Sequence, residues 1–260
     1  MIDERVITRG IIEEGMRRLL EYTQADVFIA GAGPSGLTAG YYLAREGVKV
    51  AIFERALRPG GGMPGGGMMF PCIVVQEEAR EILEEIGIRY REYEKGYYIA
   101  SSIEATAKLV SKAMDAGCEL FNLIEVEDVV IKNGKVEGLV INWTSVSLAS
   151  LHIDPLTVIS KFVVDATGHD AEVVKVVEKK TKGKLLTPSG KMLGEGPMHA
   201  DTGERTIVEH TKEAFPHLFV CGMAANAVFG GPRMGPIFGG MLLSGKKVAG
   251  MIISRLKEEK

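Results

Sequence analysis

Three groups of residues in this chain have types and spacings that could do chemistry. In GAGPSG, Gly31, Gly33 and Gly36 follow G-x-G-x-x-G spacing. Glycine at these points allows a tight turn and lets the backbone approach a pyrophosphate at a helix N-terminus. Ser35 adds a hydroxyl for the phosphates, and Glu54 stands about where a ribose-binding acid belongs. In SLASLHIDPLTV (147–158), His152 and Asp154 lie two apart, just ahead of Pro155. Proline biases the preceding residue towards extended backbone, and residues two apart in an extended segment face the same way. Imidazole and carboxylate would then converge, either as an active site or as a strand end with two solvated polar groups. Arg233, in GGPRMGP, offers a planar fork suited to a carboxylate. Its plainer reading is a surface arginine on a loop.

These residues need positioning elements. Residues 4–22 carry apolar side chains at helical spacing among charges. ADVFIAGAG reads as a strand, PSGLTAGYYLAREG as a helix and VKVAIFER as a second strand, a βαβ unit around the glycine turn. That context makes GAGPSG a dinucleotide site rather than a bare turn. RPGGGMPGGGMMF (58–70) is too glycine-rich for regular structure. A charged helix over 75–87, short strands near 88–99, a helix over 101–117 and a meander over 118–144 turning at Asn133-Gly134 follow. KFVVDATGH (161–169) and HLFVCGMAAN (217–226) read as buried strands ending in loops, and 230–256 as a Gly/Pro loop running into a terminal helix. The expectation is an α/β fold in a single domain over 1–260. Its Rossmann-like core is interrupted by a smaller α+β subdomain at 61–154.

The chain has 260 residues, a net charge of −3 and no apolar run of membrane-spanning length. Neither nucleic acid nor a membrane is therefore an expected partner. Cys72, Cys118 and Cys221 are scattered and never in CxxC spacing, as in a reduced, cytoplasmic protein.

The layout resembles the glutathione-reductase-like FAD/NAD-binding flavoproteins, with an early GxGxxG, a central ATG strand and a late LFVCG strand before a glycine loop. Many of those proteins place an acid after the late glycine to bind the flavin. Met223 stands there, and a thioether cannot replace a carboxylate. An FAD-dependent oxidoreductase of the same fold is the alternative reading.

GAGPSGL, Glu54-Arg55, RPGGGMPGGGMMF, HIDP, DATGHD and VCGMAANAVFGGPRMGPIFGGMLLSGKK together resemble the thiamine thiazole synthase family, in its sulfide-dependent archaeal branch. The resemblance implies NAD as a substrate. Nicotinamide is removed, the ADP-ribose sugar opens and condenses with glycine, sulfur is taken up, and an ADP-linked thiazole carboxylate closes. It assigns Ser35, Glu54, Arg55 and Gly62 to the nucleotide, Val126 to the adenine, and Met223 to a further NAD contact. His152, Ile153 and Asp154 lie along the ligand, and Arg233 takes the glycine carboxylate. Position 152 is a sulfur-donating cysteine in eukaryotic relatives. Imidazole has no sulfur to give, so exogenous sulfide and repeated turnover are implied, and His152 can still shuttle protons. Asp154 and His169 match Fe(II) ligands, an oxygen and nitrogen set with positions left for substrate. Without the resemblance, His169 reads first as a loop histidine capping the next segment. A homo-octamer, with the aspartate reaching a neighbour's site, is the implied assembly. His199, His210 and His217 read as solvated.

Overall fold

The computed structural model describes residues 1–182 and 184–259. Helix α1 (Glu4–Glu21) is capped by Asp3, whose side chain accepts from the Arg5 amide. The expected βαβ unit follows as β1 (Gln24–Ala30), α2 (Pro34–Arg45) and β2 (Val50–Glu54). Beyond the glycine loop come β3 (Cys72–Gln76), α3 (Arg80–Ile86), β4 (Tyr90–Glu94), β5 (Tyr97–Ser101) and α4 (Ser102–Asp115). Next are β6 (Glu119–Asn122), β7 (Ile124–Lys132), β8 (Lys135–Trp143), the short α5 (Thr144–Leu148) and β9 (Leu156–Asp165). The chain then forms α6 (Glu172–Thr181), α7 (Ala200–His210), β10 (Lys212–Phe215), β11 (Leu218–Val220), α8 (Met223–Phe229) and α9 (Gly239–Glu258).

Strands β11, β9, β1, β2 and β6 lie side by side in parallel, and β10 adds antiparallel at one edge. Their alternate residues enter two cores, as the pleat requires. Val27, Ile29, Ile52 and Val164 pack on one face with residues of α2, α4 and α9, including Leu37, Leu109 and Leu242. Phe28, Ala30, Phe53 and Val163 face the other way, towards β7, β8, α6 and α8. Burial on both faces explains why these strands read as continuous apolar runs.

Within the 61–154 stretch, β3, β5 and β4 form a separate antiparallel sheet, whereas β6 pairs with β2 and β8 pairs with the first half of β9. The β7–β8 hairpin turns at Asn133-Gly134, as the sequence indicates. The expected helix over 75–87 begins two residues inside strand β3, where Val75 and Gln76 pair with β5, and after a 3-10 turn over Glu77–Ala79 is α-helical from Arg80. Helices α6 and α7 lie outside the elements expected from the sequence, although Val173, Val174, Val176 and Val177 stand at helical spacing in α6.

Helix α1 buries none of its residues. Val6, Ile11 and Leu20 are 68%, 70% and 64% exposed, so most of its apolar side faces outward, while Leu19 packs against the core that contains Phe28 and Phe53. Arg18 ties the helix to the body through an ion pair with Glu119. Among the described residues no helix is long and apolar enough to cross a membrane.

Candidate active site

A cavity of about 860 Å³ opens at the carboxyl ends of the parallel strands, the usual ligand position in such sheets. The turn after β1 forms its floor. Gly31 adopts φ +99°, and a Cβ there would lie 2.6 Å from the Ala166 carbonyl oxygen. A Cβ on Gly36 would lie 2.1 Å from the Gly31 carbonyl oxygen, so this glycine packs the turn and does not line the cavity. Gly33 differs. It lines the cavity, and a Cβ there would meet nothing within 4 Å. Pro34 opens α2 without a side-chain cap, leaving the helix-start amides available to an anion.

The glycine-rich loop folds over this turn. The Gly60 amide donates to the Ala32 carbonyl at 2.7 Å, and Gly61 lies against Gly33. At its other end Gly67 meets Pro236 of the GPRMGP segment. Gly62, Gly66, Gly67 and Met68 join the cavity wall.

On the β2 side, Glu54 is buried and accepts from the Ala32 amide at 2.7 Å and the Ala56 amide at 2.8 Å. Arg55 pairs with Glu172 at 2.5 Å in the first turn of α6. Val126 borders the cavity just before a bulge of β7, which falls between the Val126–Ile141 and Asp128–Val140 pairs.

On the β9 side, the fully buried Asp165 accepts from the Thr167 amide and hydroxyl at 2.9 and 2.6 Å and from the Val174 amide at 2.9 Å. Burial pushes its carboxyl up from the ordinary range. These bonds shape the turn that carries His169 into the cavity. His169 does not cap α6, a place taken by Ala171. Its Nδ1 instead lies 2.8 and 2.9 Å from the two carboxylate oxygens of Glu195.

Arg233 lines the same cavity, and among the described residues its guanidinium has no ion-pair partner. Its backbone is fixed. The Arg233 amide donates to the Gly196 carbonyl at 3.3 Å, its carbonyl accepts from the His199 amide at 2.8 Å, and Asn226 Nδ2 donates to the Pro232 carbonyl at 3.2 Å. Below this loop, Glu204 of α7 accepts from the Gly240 amide at the start of α9 at 2.6 Å. Burial pushes its carboxyl up to about 7. Met223 opens α8, is buried, and lines the cavity with Met68, Met198, Met234 and Met241.

One chain thus brings together Gly31, Gly33, Ser35, Glu54, Arg55, Gly62, Val126, His169, Met223 and Arg233. It does not bring His152, Ile153 and Asp154, which sit exposed in the α5–β9 loop. Asn142 Nδ2 donates to the Ile153 carbonyl at 3.2 Å. Sequence reading missed Glu195 and Glu172, because a carboxylate in a Gly/Pro stretch and one in a charged helix carry no spacing signal. The solvated reading holds for exposed His199 and needs correction for His210 and His217. His199 accepts from the Thr202 amide as the cap of α7, while half-buried His210 bonds Asn226 and half-buried His217 bonds the Lys161 carbonyl.

Fold and cavity define a class, the α/β proteins with the Rossmann-like core of dinucleotide-binding oxidoreductases. The Thi4 family profile matches residues 8–238, and the chain belongs to the Thi4 family. A thiamine thiazole synthase of Methanothermobacter thermautotrophicus is 59% identical over 256 residues, covering 98% of this chain and 99% of the relative. That of Pyrococcus horikoshii is 54% identical over 257 residues, covering 99% of this chain and 100% of the relative. The crystal structure of Thermovibrio ammonificans THI4 superposes with a TM-score of 0.95 at 52% identity, over 98% of this chain and 99% of that one. A geranylgeranyl bacteriochlorophyll reductase-like protein from Thermoplasma acidophilum shares the fold, with a TM-score of 0.53 at 16% identity over 91% of this chain and 79% of that one.

Proposed function

We propose that this member of the Thi4 family is a thiamine thiazole synthase that builds an ADP-linked thiazole carboxylate from NAD, glycine and sulfide, with Fe(II), over repeated turnovers. The observation that carries the reading is the pairing, in one cavity, of a phosphate-binding turn with an unpaired arginine. From β2 across β1 and β9 to β11 are three strand spacings, roughly 14 Å, which suits an extended dinucleotide. Gly33, Ser35 and the α2 amides face the diphosphate. Glu54 and Arg55 flank the ribose, and Val126 the adenine. Arg233 takes the glycine carboxylate beside the opened sugar.

Sulfide as the sulfur source is supported by the thiols. Cys118 and Cys221 are buried, and burial pushes each thiol up to about 12, so neither is a ready thiolate. Cys72 is exposed and stands outside the cavity wall. His169, with its ring held from behind by Glu195, and Asp154 from a second copy would hold Fe(II), a nitrogen and oxygen donor set suited to that ion. Bound there, the metal would supply a Lewis acid for the carbonyl chemistry. His152 and Ile153 reach the ligand from the same second copy, where the imidazole moves protons. The largely exposed apolar side of α1 supports a homo-oligomer, with an octamer as our reading. The free thiols suit a cytoplasmic setting.

The test is anaerobic incubation with NAD, glycine and Fe(II), with and without sulfide, read by mass spectrometry of products and protein. Several equivalents of thiazole per chain should form only with sulfide. Several equivalents without it, or a protein lacking one cysteine sulfur, overturn the sulfur assignment. Absence of any ADP-linked product in both arms overturns the reading itself.

A further inference from the structure

Glu195 belongs to no motif and has a defined place. It sits on the segment from Leu193 to His199, which is tied down by backbone bonds on both sides. The Leu193 and Gly194 amides donate to the Val228 and Ala227 carbonyls of α8, each at 3.0 Å. The Gly196 amide donates to the Gly231 carbonyl at 3.0 Å. The side chain is sheltered at 15% exposure, while His169 is 49% exposed. A surface ion pair between two mobile side chains would have neither the anchored backbone nor the sheltered acid.

His169 lines the cavity and Glu195 stands behind it, outside the wall. With Nδ1 facing both carboxylate oxygens at 2.8 and 2.9 Å, Nε2 is the ring nitrogen left to the cavity. A carboxylate accepts and cannot donate, so the proton of a neutral imidazole belongs on Nδ1.

We propose that Glu195 is a positioning residue for His169, holding the imidazole as the Nδ1–H tautomer so that the Nε2 lone pair is presented to a divalent cation in the cavity. The cation half rests on the reading of the site given above. The tautomer half does not. Carboxylates behind metal-binding histidines fix ring orientation and tautomer in this way, and their loss typically lowers metal affinity about 10- to 100-fold.

The test separates the two halves. Solid-state 15N spectra of histidine-labelled, metal-free protein, with His169 assigned by difference from His169→Asn, should show the Nδ1–H form. Glu195→Ala should give a mixture of tautomers, and Glu195→Gln, which keeps an acceptor oxygen, should retain mostly Nδ1–H. Anaerobic Fe(II) titration should weaken about 10- to 100-fold in Glu195→Ala and much less in Glu195→Gln. An Nε2–H form in the wild type, or an Ala variant with the wild-type tautomer and wild-type affinity, overturns the proposal. Fe(II) binding unchanged by His169→Asn would overturn the metal assignment of His169 and the cation half with it. The tautomer result would still decide what Glu195 does to the ring.

Discussion

Asp154 and His169 stand at opposite ends of strand β9. Asp154 precedes it by two residues and His169 follows it by four. The ten residues of the strand itself rise about 3.3 Å each, so the two side chains are roughly 30 Å apart. No single ion reaches both within one chain. If both bind one metal, the site lies between chains. Asp154→Ala and His169→Ala should each abolish metal-dependent chemistry alone, while co-expressed one-to-one mixtures in a closed oligomer should regain roughly a quarter of the sites. Mixed oligomers that stay inactive would remove the shared site.

Arg233 provides the second prediction. Arg233→Lys keeps the charge and loses the fork, so apparent glycine affinity should fall roughly tenfold or more. Binding of NAD, measured by calorimetry, should change little, since the phosphate turn and Glu54 are elsewhere in the cavity. An unchanged glycine KM would detach Arg233 from the substrate.

The phosphate-turn glycines should separate stability from binding. Gly36→Ala places a methyl 2.1 Å from a backbone oxygen and should destabilise by on the order of 3 kcal/mol or be insoluble. Gly33 has ordinary extended dihedrals, φ −72° and ψ 177°, and open space ahead of it. Gly33→Ala should therefore keep its Tm and lose NAD affinity at least tenfold, because the methyl occupies the ligand's approach. Equal loss of Tm in both variants would refute the distinction.

Glu204 makes stability depend on pH. Its carboxyl is raised from 4.5 to about 7 by burial, so between those values the folded chain binds a proton that the unfolded chain releases. That stabilisation is complete below about 4.5 and is lost as pH rises through about 7. Glu204 Oε1 and Gln76 Oε1 are both buried without a donor among the described residues, close to the start of α9. Glu204→Gln supplies an amide where the proton would sit. It should flatten the fall in Tm between pH 5 and pH 8 and stabilise the protein at pH 8 by on the order of 1 to 3 kcal/mol. A Tm profile matching the wild type would exclude Glu204 as the titrating group.

Much of this was legible in the residues. Spacing gave the βαβ unit, the glycine turn and Glu54, because a phosphate turn is a local device whose parts are close in sequence. The β7–β8 hairpin was legible through Asn133-Gly134. Its docking onto β9 was not, since β8 is far from any signal that would choose β9's flank over a sheet of its own. Helices α6 and α7 were not anticipated, although Val173, Val174, Val176 and Val177 stand at helical spacing in α6. In α7 the signal is weaker, because Gly203 interrupts it and Ile207 and Val208 supply nearly all of its apolar contact. The position of His152 and Asp154 relative to the cavity could not be read, because it depends on the length of a strand rather than on either residue. Glu195 could not be read at all. Its partner is 26 positions away, and two unrelated loops bring them together.

The segment from Leu193 to His199 works as a ruler. Its contacts to α8 and to the glycine-proline loop are made by peptide groups, which every residue except proline supplies in full. The anchoring itself therefore makes no use of the side chains, while the count of residues between the Gly194 and Gly196 anchors is fixed at one. Inserting or deleting a single residue there would turn the carboxylate away from His169 and shift the backbone of Arg233 in the same stroke. A change of length would undo what the side chains of Glu195, Met198 and His199 do there, even with each of them kept.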